Sequence, residues 1–339
     1  MGSSPEEPYD YIAVGHVTRD VIEDRAGGTV SQAGGGAFYS GLQAARLGLR
    51  TLIVTQGVPL EIHALLEPFS DEFDLRVIPA KHTTTLSTRG SGARRSQRLL
   101  AWAGPIAEPL TLDTRILHLA PVARETPTTW HGHARFVGLT PQGLVRRWEL
   151  GEGVPLVQLD TGSLLGDVPL SGGGSAALIG DISPVDLDSQ LLPERFTAAV
   201  ISEDECKGCH ALFAVARRGG AYVAVTAGSR PATVHLPAPA AGSVVQTRVP
   251  RVVEMRDDLG AGDVFAAAFF VALSEGSGPL EAASFGNAAA AVRIAGVGPG
   301  AIGKRAQIEA NTNVDGPEST LGAESAPGDR QACADRGKH

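Results

Sequence analysis

Met255-Arg-Asp-Asp-Leu-Gly-Ala-Gly-Asp-Val-Phe-Ala-Ala-Ala-Phe-Phe-Val-Ala-Leu273 decides how the chain is read. Polar residues lead into Gly260-Ala261-Gly262, an acid follows at Asp263, and Val264 to Leu273 is almost wholly apolar. Small residues let the backbone turn sharply and let a ligand approach it. The apolar run has the length of a buried helix. The Gly-Ala-Gly turn therefore opens a helix whose first amides lack intrahelical partners. Such amides, at the positive end of the helix dipole, attract an anion. Asp263 falls in the same first turn. A group that holds negative charge beside one that can take a proton is what phosphoryl transfer to an alcohol requires. The same residues also fit a glycine loop capped by an acid at a helix start.

The composition narrows the classes. The chain has 339 residues, 43% of them hydrophobic, and a formal charge of −8. Length allows one large or two modest domains with a sizeable core. Net acidity argues against a nucleic-acid binder. No apolar run reaches the ~20 residues of a membrane span. The polar start, Met1 to Asp10, has no signal-peptide pattern. A soluble, cytoplasmic protein is expected, with no membrane partner. Three cysteines, an odd number, suggest no disulfide framework.

Upstream, Tyr11-Ile-Ala-Val-Gly15 predicts a buried strand and Thr51 to Thr55 another. Between them Ala37 to Gly48 predicts a helix. This order is the βαβ unit of a parallel sheet. Val21–Asp24 and Thr29–Gln32 around Ala26-Gly27-Gly28 predict a hairpin, and Thr83–Thr88 with Ser96–Trp102 a second. Further strands are expected at 116–120, 135–139, 198–202 and 222–226, with helices at 203–218 and 279–296. Residues 150–195 give no clear register.

Asp257-x-x-Gly-Ala-Gly-Asp263 before an apolar helix resembles the C-terminal signature of the ribokinase-like, or PfkB-type, carbohydrate kinases, with Asp258 at the family's usual Thr. Gly34-Gly35 through Leu47-Gly48 resembles the family's N-terminal signature, with Tyr39 where many members carry a substrate-contacting Asn. The resemblance implies a three-layer α/β sandwich with a mostly parallel central sheet and a small β-sheet lid. It implies a kinase domain over 10–310, with the lid from about 17–33 and 81–104. Residues 1–9 read as a disordered lead-in and 311–339 as a disordered tail.

Site residues follow from the same resemblance. Asp263 is the general base, with Gly260, Ala261 and Gly262 forming the anion hole. Asp20, Gly34, Gly35 and Tyr39 contact the acceptor. Thr226, Gly228 and Asn287 contact ATP. Glu205 organises Mg2+, through water as the resemblance implies, although Ser202-x-x-Glu205 also fits a capping box. Arg94 and Arg95 read as solvated turn residues. The acceptor is a sugar or cyclitol, a direction supported by Gln142-Gly-Leu-Val-Arg146. A nucleoside acceptor and a non-catalytic ligand-binding member are the alternatives. The resemblance also allows a homodimer through the lid.

Three other patterns carry less. Cys206-x-x-Cys209-His210 has haem-attachment spacing but sits inside an expected helix. Gly298-x-Gly-x-x-Gly303 follows a helix rather than a strand. Gly36-x-x-x-x-Gly41 lacks the Lys-Ser/Thr of a P-loop.

Overall fold

The structure, a computed structural model, describes residues 8–23, 29–90, 96–148, 180–184, 186–240, 242–247 and 254–312. Of the expected disordered ends only 8–9 and 311–312 are described, and there Tyr9 is in a strand and Asn311 and Thr312 in a helix, contrary to that expectation. The rest of those ends, the first hairpin's turn, and Arg94 and Arg95 lie outside these residues.

A nine-stranded sheet forms the centre. Its parallel part is β5 (Asp74–Pro79), β4 (Thr51–Gly57), β1 (Tyr9–Val14), β8 (Thr114–Leu119), β9 (Ala134–Leu139), β12 (Ala198–Ser202) and β13 (Tyr222–Ala227), in that spatial order. Two antiparallel strands, β14 (Arg230–His235) and β15 (Val244–Gln246), extend the edge beyond β13. Parallel strands buried on both faces read as continuous apolar runs, which is why Tyr11 to Val14 and Ala198 to Ile201 were legible.

Alternation sorts the side chains into two layers of core. Tyr11, Ala13 and Ile53 face α1 (Gly36–Arg46), α4 (Ala261–Ser274) and α5 (Pro279–Ile294). Ile12, Val14 and Val54 face the other way, into the core that also buries Leu212 and Val215 of α3 (His210–Gly219). Helix α4 is buried from Val264 to Ala272 without a polar stripe, as suits a central helix. Helices α2 (Pro59–Leu66) and α6 (Arg305–Thr312) complete the described helices.

A second, smaller sheet contains β2 (Thr18–Glu23), β3 (Thr29–Gly34), β6 (Thr85–Arg89), β7 (Ser96–Ala101), β10 (Arg146–Trp148) and β11 (Gly180–Pro184), in the order β10-β11-β7-β6-β2-β3. Both expected hairpins supply strands to it, and β2 pairs in parallel with β6. One strand, β11, comes from the segment 150–195 whose register the sequence left unread.

One boundary differs clearly from expectation. The helix expected from Glu203 begins only at His210, because residues 203–205 form a turn and Cys206–Gly208 a 3-10 turn. Glu205 is thus not a helix residue.

Candidate active site

Asp257 begins the turn that the site is built on. Its Oδ1 accepts a hydrogen bond from Leu259 N at 3.0 Å. Gly260 then takes φ 72°, a conformation that glycine adopts without strain. The first intrahelical bond runs from Val264 N to Gly260 O at 3.0 Å. The amide of Ala261 is turned back onto Asp258 O at 3.3 Å. That corrects the expectation that Gly260, Ala261 and Gly262 act alike: Ala261 N is already engaged. Gly262 and Asp263 contribute the first-turn amides that helix geometry leaves without an intrahelical acceptor.

This turn closes one side of a cleft of about 320 Å³. Thr140, Ser202 and Thr226 enter it at the C-terminal ends of the neighbouring parallel strands β9, β12 and β13. Open α/β sheets bind ligands there. Asp20, Leu86, Gln97 and Arg146 reach the same cleft from the smaller sheet, so both sheets wall it.

Asp263 lines the cleft. Its carboxylate lies so close to α1 that a Cβ placed on Gly36 would stand 3.0 Å from Oδ1. Enclosure raises its pKa from 3.8 to about 7. The Arg146 guanidinium pulls it down, while Glu205 and Asp20 push it up. A carboxylate poised near neutrality suits a general base.

Asp20 is 4% exposed, and Thr18 Oγ1 donates to its Oδ1 at 2.7 Å. The carboxylate lies flat on Gly34, where a Cβ would come 2.1 Å from Oδ2. Gly34 therefore makes room for Asp20 and is absent from the cleft lining, whereas Gly35 lines it. Tyr39 lines the cleft too, but its buried ring chiefly floors the turn. Burial raises the Tyr39 phenol further above its ordinary range.

Two residues gain importance that the sequence did not assign. Arg146 donates from Nη2 to Gln97 Oε1 at 2.9 Å and from Nη1 to Val122 O at 3.3 Å. Burial lowers its pKa, and the carboxylates of Glu205, Asp263, Asp20 and Glu125 oppose that shift. The only signal was the Gln142-to-Arg146 segment; Gln142 also lines the cleft. Glu125, 1% exposed, accepts backbone bonds from His16 at 2.8 Å and Ala123 at 2.6 Å, and from Val122 at 2.8 Å. It braces the β1–β2 link against the loop after β8, and nothing local in the sequence signals this.

Glu205 lines the cleft beside Asp204. Its Oε2 accepts from Ser202 N at 3.2 Å, and Ser202 Oγ accepts from Glu205 N at 3.3 Å. The capping-box pairing is therefore made, across a turn rather than at an α-helix start. Among the described residues, no group of three His, Cys, Asp or Glu side chains converges as a metal cage.

The residues expected along ATP do not all meet. Thr226 lines the cleft, while Gly228 and Asn287 do not. Asn287 is buried in α5 and donates to Thr247 Oγ1. Arg230 pairs with Glu203 beside the β13 end.

The remaining patterns are structural. Cys206 and Cys209 are buried, and Cys209 Sγ bonds Glu205 O at 3.2 Å. The loop from Gly298 to Gly303 contains only a 3-10 turn, Pro299–Ala301, between α5 and α6. Gly36 and Gly41 both lie within α1.

Residues 195–304 match the family described as pfkB family carbohydrate kinase. No curated protein sequence is significantly similar to the chain. Among solved structures, the chain is similar to a pyrophosphate-dependent kinase in the ribokinase family, complexed with a pyrophosphate analog and myo-inositol. That match has a TM-score of 0.63 at 17% identity and covers 88% of this chain and 99% of the other. Ribokinase from Arabidopsis thaliana, complexed with ribose and ATP, gives 0.63 at 16% identity, covering 91% and 100%. A nucleoside kinase of Methanocaldococcus jannaschii, an archaeal member of the ribokinase family, gives 0.59 at 14%, covering 90% and 99%.

Proposed function

We propose that this chain, which belongs to the PfkB carbohydrate kinases by its C-terminal segment and has the ribokinase fold, phosphorylates a hydroxyl of a small sugar or cyclitol. The observation that carries the reading is Asp263 in the same cleft as the Gly260–Gly262 turn. Asp263 takes the proton of the acceptor hydroxyl as that oxygen attacks the terminal phosphorus. The bond between that phosphorus and the rest of the donor breaks, and the leaving phosphate carries away the electron pair. First-turn amides of α4 hold charge on the transferred group. Asp20, fixed by Thr18 and Gly34, offers its carboxylate to acceptor hydroxyls. Arg146 sets the charge balance around Asp263.

ATP with Mg2+ is the donor in this reading. Mg2+ would be carried chiefly by phosphate and water, with Glu205 or Asp204 at its outer side, since magnesium needs few protein ligands. When bound, it neutralises phosphate charge.

One observation favours pyrophosphate as an alternative donor. Of the residues expected along a nucleotide only Thr226 lines the cleft; Gly228 does not, and Asn287 donates to Thr247 Oγ1 instead. A short inorganic donor needs no base slot. The similarity to a pyrophosphate-dependent kinase agrees with this.

Purified protein with myo-inositol, ribose, fructose and adenosine, each offered ATP or pyrophosphate, tests both points. Phosphorylated polyol with either donor supports the reading. Phosphorylated adenosine alone would move it to the nucleoside class. No product with any pair, together with tight acceptor binding, would favour a non-catalytic ligand-binding protein.

A further inference from the structure

The largest fully buried side chain among the described residues is charged: Arg293, on α5. Burying a guanidinium is costly unless it is paired and hydrogen-bonded. Arg293 is held on one side by Asp257, with Nη2 2.7 Å from Oδ2. Its Nη1 points at Asp257 O, 3.3 Å away, and at Gly296 O, 3.5 Å away. Its Cζ lies 5.6 Å from the centre of the Tyr39 ring, within cation–π range.

Both partners support the phosphate turn. Asp257 starts it through Leu259 N and, through Oδ2, also holds Gly298 N at 2.9 Å. Tyr39 lies directly beneath Gly260. Arg293 and Asp257 themselves do not line the cleft. A single buried cation thus ties the entry of the turn, its floor and the loop after α5. No step of the proposed reaction uses that cation.

We infer that Arg293 is a positioning residue for the turn Gly260–Asp263. Its planar fork fixes Asp257 and steadies Tyr39. These two then set the direction of the first-turn amides and of the Asp263 carboxylate. Arg293 touches no substrate in this account. The inference rests on the reading of that turn as a phosphate cradle.

Loss of a merely stabilising arginine would lower the melting temperature and leave anion binding by the folded protein intact. A positioning arginine changes anion affinity. Lysine keeps the charge but cannot reproduce a two-pronged contact.

The test titrates inorganic pyrophosphate into full-length wild type, R293K and R293A by calorimetry, at a temperature below each protein's melting transition. Wild type is expected to bind. R293A is expected to bind at least about tenfold more weakly, a difference of about 1.4 kcal/mol, with R293K intermediate. Millimolar guanidinium, but not matched sodium chloride, is expected to restore much of the R293A loss. Should R293A not fold, R293K decides alone. Wild-type affinity in either folded variant overturns the role given to Arg293. Absence of binding by wild type overturns the phosphate-cradle reading itself, and the inference with it.

Discussion

The ring of Tyr39 lies directly under Gly260: a Cβ at that glycine would stand 2.3 Å from the ring's Cγ and Cδ1. Helix α1 and the start of α4 are thereby locked together at the point where the backbone takes φ 72°. Gly260→Ala must both strain the backbone and displace the ring. It is expected to destabilise the protein by about 1–3 kcal/mol and to depress turnover beyond what the folded fraction explains. Thermal melts and rates on the folded fraction measure the two effects.

Tyr39 itself gives a sharper contrast. Its hydroxyl receives a long bond from Gln32 Nε2, at 3.4 Å, and also interacts with the Arg293 side chain. Tyr39→Phe keeps the ring and is expected to change kcat and acceptor KM by less than about threefold. Tyr39→Ala removes the floor and is expected to cost about 3–5 kcal/mol, as for other buried aromatics. A large acceptor KM effect in Tyr39→Phe would instead mark the hydroxyl as a substrate contact.

The parallel part of the central sheet was legible because buried parallel strands are continuous apolar runs, and the two hairpins of the smaller sheet because β-rich runs flank glycine-rich turns. The Gly260–Asp263 turn was legible because glycine spacing and an acid share a single helical turn. Arg146 and Glu125 were not, since their meaning arises only when β7, β10 and the loop after β8 converge. Asn287, expected along ATP, does not line the cleft, and its amide donates to Thr247, a contact far away in the chain that sequence alone does not signal. Ser202-x-x-Glu205 carried two readings, and the structure makes the local bonds of the capping box while leaving Glu205 at the cleft.

The pH profile should carry the mark of Asp263. With its pKa raised to about 7, Asp263 is protonated below neutrality, and in the role of base proposed for it kcat should rise through that range. Arg146 lowers this pKa, so Arg146→Met should move the acid limb to higher pH. Glu205→Gln should move it to lower pH, because Glu205 raises it. Unchanged limbs in both variants would show that another group titrates.

Stability should respond with the opposite sign. A carboxyl whose folded pKa lies above its unfolded value holds its proton longer in the folded state. Stability is therefore lost as pH rises from about 4 to about 7. Asp263→Asn cannot ionise. Its melting temperature relative to wild type should climb over that window, by on the order of 5 °C, and level off above it. Parallel melts of both proteins from pH 4 to 8 read this directly.

The most direct measurement is single-turnover phosphorylation by Asp263→Asn, with donor and acceptor affinities determined alongside. Loss of the base should lower the chemical step by about 10²–10⁴-fold while both affinities stay within a few-fold of wild type. Turnover at the wild-type rate would contradict the assignment of Asp263 as the base.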